Sequence, residues 1–321
     1  MAQSATVKLS NPDDYAAVFG DCHMKLTITA AGDFEARLIR LKLNDLELYH
    51  CRETLPRIAY FSLPPGRVVL SFPIGAATLV SSGSPVRNGD IALHAPGSRF
   101  HQRSGGACQW GLIAIAVKRL TRCEKALTGR EATLSRTSRL FRPARAEMLQ
   151  FLDLLRQALQ LARGKNSFID RPEAARAFEQ ELLHAIIHCT SGAAAEQRGA
   201  RHAAIMLRLE ETLSRSIGQR LTVPALCAEI GTPERTLRMC CAEFLDLSPM
   251  RYLLLQRLNK ARSALRHADP TTASVAEIAR NHHFRELGRF AVTYRAIFGE
   301  SPSATLHQKT QKGDHALQPR R

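Results

Sequence analysis

No run of apolar residues in this 321-residue chain is long enough to cross a bilayer. The longest, Trp110 to Val117, falls well short of the roughly 20 residues a spanning helix needs. The opening MAQSATVKLSNPDD has no apolar core of the signal-peptide kind. The expectation is a soluble, cytoplasmic protein with no membrane partner. Eight cysteines are present, at 22, 51, 108, 123, 189, 227, 240 and 241, and no two form a C-x-x-C pair. A regular disulfide framework is therefore not expected, and reduced thiols are. Cys227 and Cys241 fall on apolar helix faces, where the thiol acts as a small hydrophobe. Catalytic signatures are missing as well. There is no Gly-rich phosphate loop and no G-x-S-x-G elbow. The β-rich region has no H-x-H pair of the kind that gathers a metal, and His50, His94 and His101 stand singly near strand ends. We expect no catalytic residue, no metal site and no cofactor, hence no enzyme.

Basic charge is what the chain has in excess. Its formal net charge is +16 and its pI about 10, which favours a polyanionic partner. The excess is not localised: residues 201–321 hold 19 Lys and Arg against 11 Asp and Glu, and residues 1–200 hold 26 against 18. Pattern, rather than charge, divides the chain. From Lys25 to Val117, short β-rich runs such as LTITA, LELYHC, RVVLSF and WGLIAIAV are punctuated by Gly, Pro and Asn-Gly. Seven or more strands at that spacing imply an antiparallel sandwich or small barrel, after an irregular entry with a short helix near Tyr15–Phe19. Helical periodicity follows, ending first at Gly129 and then running over Pro143–Leu161 and Arg171–Cys189. Those two long helices carry apolar stripes suited to packing on the β body or to a homodimer seam. TSGAAAEQRGA, small and polar, reads as a linker. The whole is α+β in two domains: 1–190 a β-rich domain with trailing helices, 191–200 a linker, 201–306 an all-α domain, and 307–321 a disordered basic tail. With so few apolar anchors in the linker, the C-terminal domain is expected to fold alone.

The stretch from Leu221 to Pro302 holds the strongest pattern. Thr222 can cap a short helix that carries Leu226 and Ile230 inward, and Gly231 tolerates positive φ just after it. Thr232, Pro233 and Glu234 then open a second helix as cap, first residue and acid on the positive end of the dipole. SVAEIARNHHFRELGRFAVTYRAIFGESP repeats the plan, with Ser274 and Glu277 as a capping box and Phe290, Tyr294 and Phe298 on one face. A helix over Met250–Ala268 joins the two. Gly231, Arg235, Thr236, Leu237, Ser248, Pro249, Tyr252, the RLNKAR run, Ile278, Ala279, Phe284, Phe290 and the closing FGESP together resemble the DNA-binding domain of AraC/XylS-type transcription regulators.

That resemblance implies two helix-turn-helix units on double-stranded operator DNA, preceded by a cupin-like domain that senses a small molecule or dimerises. It also implies transcription activation with RNA polymerase as a partner. The side chains placed to meet DNA are Arg235, Thr236, Arg238 and Met239 in the first unit, and Arg289, Thr293 and Arg295 in the second. Arginine can hold guanine bidentately, so Arg235 and Arg238 are the expected readers. Several positions depart from the family pattern. His283 and Asp246 stand where Gly is usual, Gly288 where a capping Ser is common, and Val292 where an Arg is common. The second unit is accordingly expected to anchor the backbone more than to read bases. Two other readings fit the same sequence: a regulator whose N-terminal domain makes only protein contacts, and, more remotely, a cupin-like metal enzyme with a nucleic-acid module.

Overall fold

The computed structural model describes residues 3–129, 137–163, 171–192, 200–216 and 221–308. Strands dominate its first part: β1 (Gln3–Leu9), β2 (His23–Ile28), β3 (Ala36–Lys42), β4 (Leu46–Glu53), β5 (Arg57–Ser62) and β6 (Arg67–Pro73). They continue as β7 (Leu79–Ser81), β8 (Ser84–Val86), β9 (Ile91–His94), β10 (Arg99–Ser104), β11 (Cys108–Ala116) and β12 (Arg139–Phe141). A short helix α1 (Pro12–Ala17) follows β1, and α2 (Val117–Thr128) follows β11, ending on left-handed Gly129. One sheet has seven strands in the order β1-β3-β4-β11-β6-β9-β12, and the other has five, β2-β5-β10-β7-β8. Every pairing is antiparallel. The entry segment is more regular than its sequence suggests, because β1 pairs along β3 from Gln3 opposite Lys42 to Leu9 opposite Ala36. It is an edge strand with no fully buried residue, so it carries little apolar alternation to read.

The seven-stranded sheet is buried on both faces, which is why β11 is almost continuously apolar. One face carries Leu38, Cys51, Val69, Trp110 and Leu112 toward the five-stranded sheet, with α1 contributing Tyr15 and, just beyond it, Phe19. Glu53 sits in that layer and accepts hydrogen bonds from Tyr15 (2.6 Å), Trp110 (2.8 Å) and Arg57 (2.8 Å). The other face carries Ile39, Leu70, Phe72 and Ile113 against α3 (Arg145–Arg163) and α4 (Pro172–Thr190). The apolar stripes of those helices, Phe151 and Leu155 on one and Leu182, Leu183 and Ile186 on the other, are buried on the sheet. Packing on the β body, not a dimer seam, occupies them.

Seven helices follow among the described residues: α5 (Ala200–Arg215), α6 (Val223–Ile230), α7 (Glu234–Leu245), α8 (Pro249–His267), α9 (Val275–Asn281), α10 (Leu287–Phe298) and α11 (Pro302–His307). Most of the expected linker, 193–199, and the tail beyond Gln308 lie outside the described residues. No helix among the described residues is long and apolar enough to cross a membrane.

The helical part packs directly on the five-stranded sheet. Ile58 of β5 belongs to the same apolar cluster as Leu209, Leu226, Leu237, Phe244 and Tyr252. Gln256 of α8 donates to Thr27 Oγ1 (3.1 Å), and Asn259 pairs with the backbone of Ile28 at 3.1 and 3.2 Å. At the centre, buried Glu210 of α5 accepts from the Tyr252 hydroxyl, lies 3.0 Å from His101 Nε2 and 3.5 Å from Lys25 Nζ. Burial alone would raise the Glu210 carboxyl. The bond with His101, helped by Lys25 and Tyr252, outweighs that and holds its pKa at about 2. At Gly83, φ +78, an added Cβ would come within 2.9 Å of Glu243 and 3.0 Å of Phe244, so the β7–β8 turn touches the end of α7.

Candidate nucleic-acid interface

Two helix pairs, α6–α7 and α9–α10, flank α8. The caps follow from short polar side chains that accept backbone N–H groups. Thr222 accepts from Ala225 (3.4 Å), Ser248 from Arg251 (3.3 Å), Ser274 from Glu277 (3.0 Å) and Ser301 from Ala304 (3.0 Å). Gly231 ends α6 with φ 66. One expected cap differs. The α7 helix starts at Glu234 with Pro233 in the capping place and no side-chain cap. Thr232 is buried instead, its N–H bonded to the Cys227 carbonyl (3.0 Å) to close the turn.

The two pairs repeat one plan, at an offset of 52 positions for the caps Thr222 and Ser274 and of 53 from α7 and α10 onward. Leu237, Cys241 and Leu245, buried in α7, recur as Phe290, Tyr294 and Phe298 in α10. Left-handed Asp246 (φ 59) and Gly299 (φ 75) end the two helices, and Ser248-Pro249 and Ser301-Pro302 open the next ones. His283, φ 63, is left-handed too. Asp246 and His283 thus keep the backbone that glycine would adopt, at a strain of roughly 1–2 kcal/mol for a residue with a Cβ. Both departures leave the geometry intact.

The surfaces presented by α7 and α10 differ from expectation in detail. Arg235 and Arg238 are exposed at the start of α7, and Met239 beside them is 52 % exposed. Arg238 is not idle: its Nη2 and Nε lie 2.5 and 3.0 Å from Glu234 Oε1. On α10, Arg289 and Arg295 are exposed. Thr236 and Thr293 are half-buried, and the Thr293 hydroxyl donates to the Arg289 carbonyl (2.7 Å), so neither points squarely outward. The residue that sequence reasoning passed over is Val292, 73 % exposed. Its outward position was readable from the period of α10. Its lack of charge was what discounted it. A groove of about 1070 Å³ runs over α8 between the pairs, lined among others by Arg251, Arg257, Arg285 and Arg289. The C-terminal end of α7 meets the sandwich through Glu243, Phe244 and the Arg103–Asp246 pair (3.4 Å), while Arg235, Arg238 and Met239 stay exposed.

The lone histidines find ordinary partners. His94 is sealed in the core between Ser71 Oγ (3.0 Å) and Ser138 Oγ (3.2 Å), and His101 meets Glu210. Among the described residues no three His, Cys, Asp or Glu side chains gather as a metal-ligand set. Seven of the eight cysteines are buried, and all eight thiols are free.

Residues 226–308 match a family model described as a helix-turn-helix domain. A "Probable thc operon regulatory protein" of Rhodococcus erythropolis is 33 % identical over 162 residues, covering 47 % of this chain and 48 % of that protein. A "XylDLEGF operon transcriptional activator" of Pseudomonas putida is 35 % identical over 101 residues, 31 % of this chain and 30 % of its own. The paired body is similar to that of AraC/XylS-type regulators. A further relative, the "HTH-type transcriptional activator RhaS" of Pectobacterium atrosepticum, is 28 % identical over 145 residues, 43 % of this chain and 49 % of its own. The chain thus spans half or less of the length of these three curated relatives. Among solved structures, "the AraC-like transcriptional activator CuxR" gives a TM-score of 0.43 at 12 % identity, covering 80 % of this chain and 95 % of that one. ToxT from Vibrio cholerae gives 0.30 at 12 % identity over 95 % and 97 %. Both scores are too low to establish a shared fold. The AraC/XylS similarity rests on the sequence relatives and on the repeated helix pairs.

Proposed function

We propose that this chain is a sequence-specific DNA-binding transcription regulator, an activator, whose β-rich residues 1–190 control residues 201–306. One observation carries the reading: α7 and α10, equivalent helices on one body braced by α8, both turn their basic first turns outward. A recognition helix meets base edges with its N-terminal residues, and two such helices on one face suit successive major-groove segments about 34 Å apart. Arg235, Arg238, Arg289 and Arg295 supply the charge, with Arg238 exchanging Glu234 for DNA. Promoter-bound, the protein acts through RNA polymerase.

A small-molecule effector is part of this proposal. The cleft between α1–β2 and α8, about 890 Å³ and lined from both parts of the chain, is large enough for one. The competing view, that residues 1–190 only hold the helical body in place, is favoured by the direct bonds of Glu210, Gln256 and Asn259 across the junction.

Selection of bound fragments from a random duplex pool, followed by titration of the chosen site, tests the function. Affinity should fall at least tenfold between about 50 and 200 mM salt through counterion release. A pool that yields no enriched sequence, or binding indifferent to salt, would remove the reading.

A further inference from the structure

Five large hydrophobic side chains among the described residues are strongly exposed: Leu127, Leu149, Met239, Met250 and Val292. Two of them occupy one structural position. Met239 is the sixth residue of α7 and Val292 the sixth of α10, 53 positions apart like the other equivalent residues of these two helices. In each helix that place lies on the outward side, opposite the buried stripe of Leu237 and Cys241 or of Phe290 and Tyr294. Apolar groups held in water among exposed arginines need a reason. Here the flanking charges, Arg235 and Arg238 on one helix and Arg289 and Arg295 on the other, name the partner's sign. They leave the apolar residue to meet something neutral within a polyanion.

The surroundings of Val292 add an independent observation. One turn before it stands Gly288 and one turn after it Ala296, so the strip through Val292 has almost no side-chain bulk. Gly288 has no positive φ that would require glycine, and an added Cβ there would meet nothing within 4 Å. Nothing in the backbone at this second residue of α10 calls for glycine, so its use here fits a need for close approach from outside. The equivalent position in the first unit is Arg235. One unit therefore offers a long cation beside its apolar residue, and the other offers room.

Duplex DNA presents one apolar group in its major groove, the C5-methyl of thymine. We propose that Val292 is the base reader of the second unit, packing on a thymine methyl that Gly288 allows to come close, and that Met239 makes the matching contact in the first. The proposal rests on the DNA-binding reading above. Valine suits the role because its branched side chain has little rotamer freedom to lose on contact. It also revises the expectation that the second unit anchors the backbone more than it reads bases.

The test uses the full-length protein and the duplex enriched from a random pool. Thymines of that site are replaced one at a time by deoxyuridine, which lacks only the methyl, and each duplex is titrated with the parent protein and with Val292→Ala. Because Val292 is exposed and alanine favours helix, the variant folds; circular dichroism checks this. For the parent, one replacement in the second segment should weaken binding roughly threefold to tenfold. Val292→Ala should show that loss on unmodified DNA and no further loss on the same deoxyuridine duplex. Met239→Ala should do likewise at a thymine in the first segment. If the parent is indifferent to every replacement in the second segment, or Val292→Ala remains as sensitive as the parent, the inference fails while DNA binding stands. If Val292→Ala binds the unmodified site as tightly as the parent, the exposed valine faces something other than DNA and the inference also fails. Failure to enrich any sequence would instead bring down the DNA-binding reading beneath it.

Discussion

His94 is a neutral imidazole sealed in the sandwich, stacked on Phe100 with ring centroids 3.5 Å apart and flanked by two serine hydroxyls. Burial pushes its pKa down to about 3. The unfolded chain takes up a proton near pH 6.5, the folded chain only near 3, so between those values the unfolded state binds more protons. Stability therefore rises with pH across that window and is lost as pH falls through it. The limiting slope is about 1.4 kcal/mol per pH unit. Urea midpoints taken at pH 7 and pH 5 should fall for the parent and fall less for His94→Gln, which has nothing to titrate. Equal falls would assign the acid sensitivity elsewhere. From sequence alone His94 was a lone histidine near a strand end. Only its neighbours in space show it to be a core residue.

At the scale of elements, much was legible because local chemistry fixes it. Thr222, Ser248, Ser274 and Ser301 cap where short polar residues precede apolar periods, and the seven-stranded sheet follows the strand runs. What escaped reading depends on partners distant in sequence. β1 has no buried residue to advertise it. The stripes of α3 and α4 fit a sheet or a second copy equally well until the sheet is seen. Glu210 sits beside Leu209 in an apolar stretch, and nothing local says that His101 and Tyr252 await it. The site was half legible: the arginines stood out by charge, whereas Val292 was discounted for having none. The α7 helix also holds a competition that its i, i+4 spacing makes readable, since Glu234 grips Arg238, the arginine proposed to reach DNA. Glu234→Gln should free Arg238 and remove a negative charge near the phosphates, tightening binding severalfold by titration. Weaker binding would mean that Glu234 orients Arg238 instead of restraining it.

Across the whole molecule the junction is the feature with the widest reach. Ile58 leaves the five-stranded sheet to sit among Leu209, Leu237, Phe244 and Tyr252, so the core of the first helix pair is completed by a side chain from the other part of the chain. Glu210 and its partners seal the same contact. The expectation that the C-terminal part folds alone overlooked this shared core. In the language of unfolding, the shared core predicts that neither part has a complete transition of its own. A calorimetric scan should show a single endotherm in which sandwich and helical body melt as one cooperative unit. Placing a charge in the shared core, as in Ile58→Asp, should split that peak in two, the helical body melting first. Two separate peaks in the parent would show that the junction is only a surface contact. One shared isoleucine thus sets how many ways the protein can come apart.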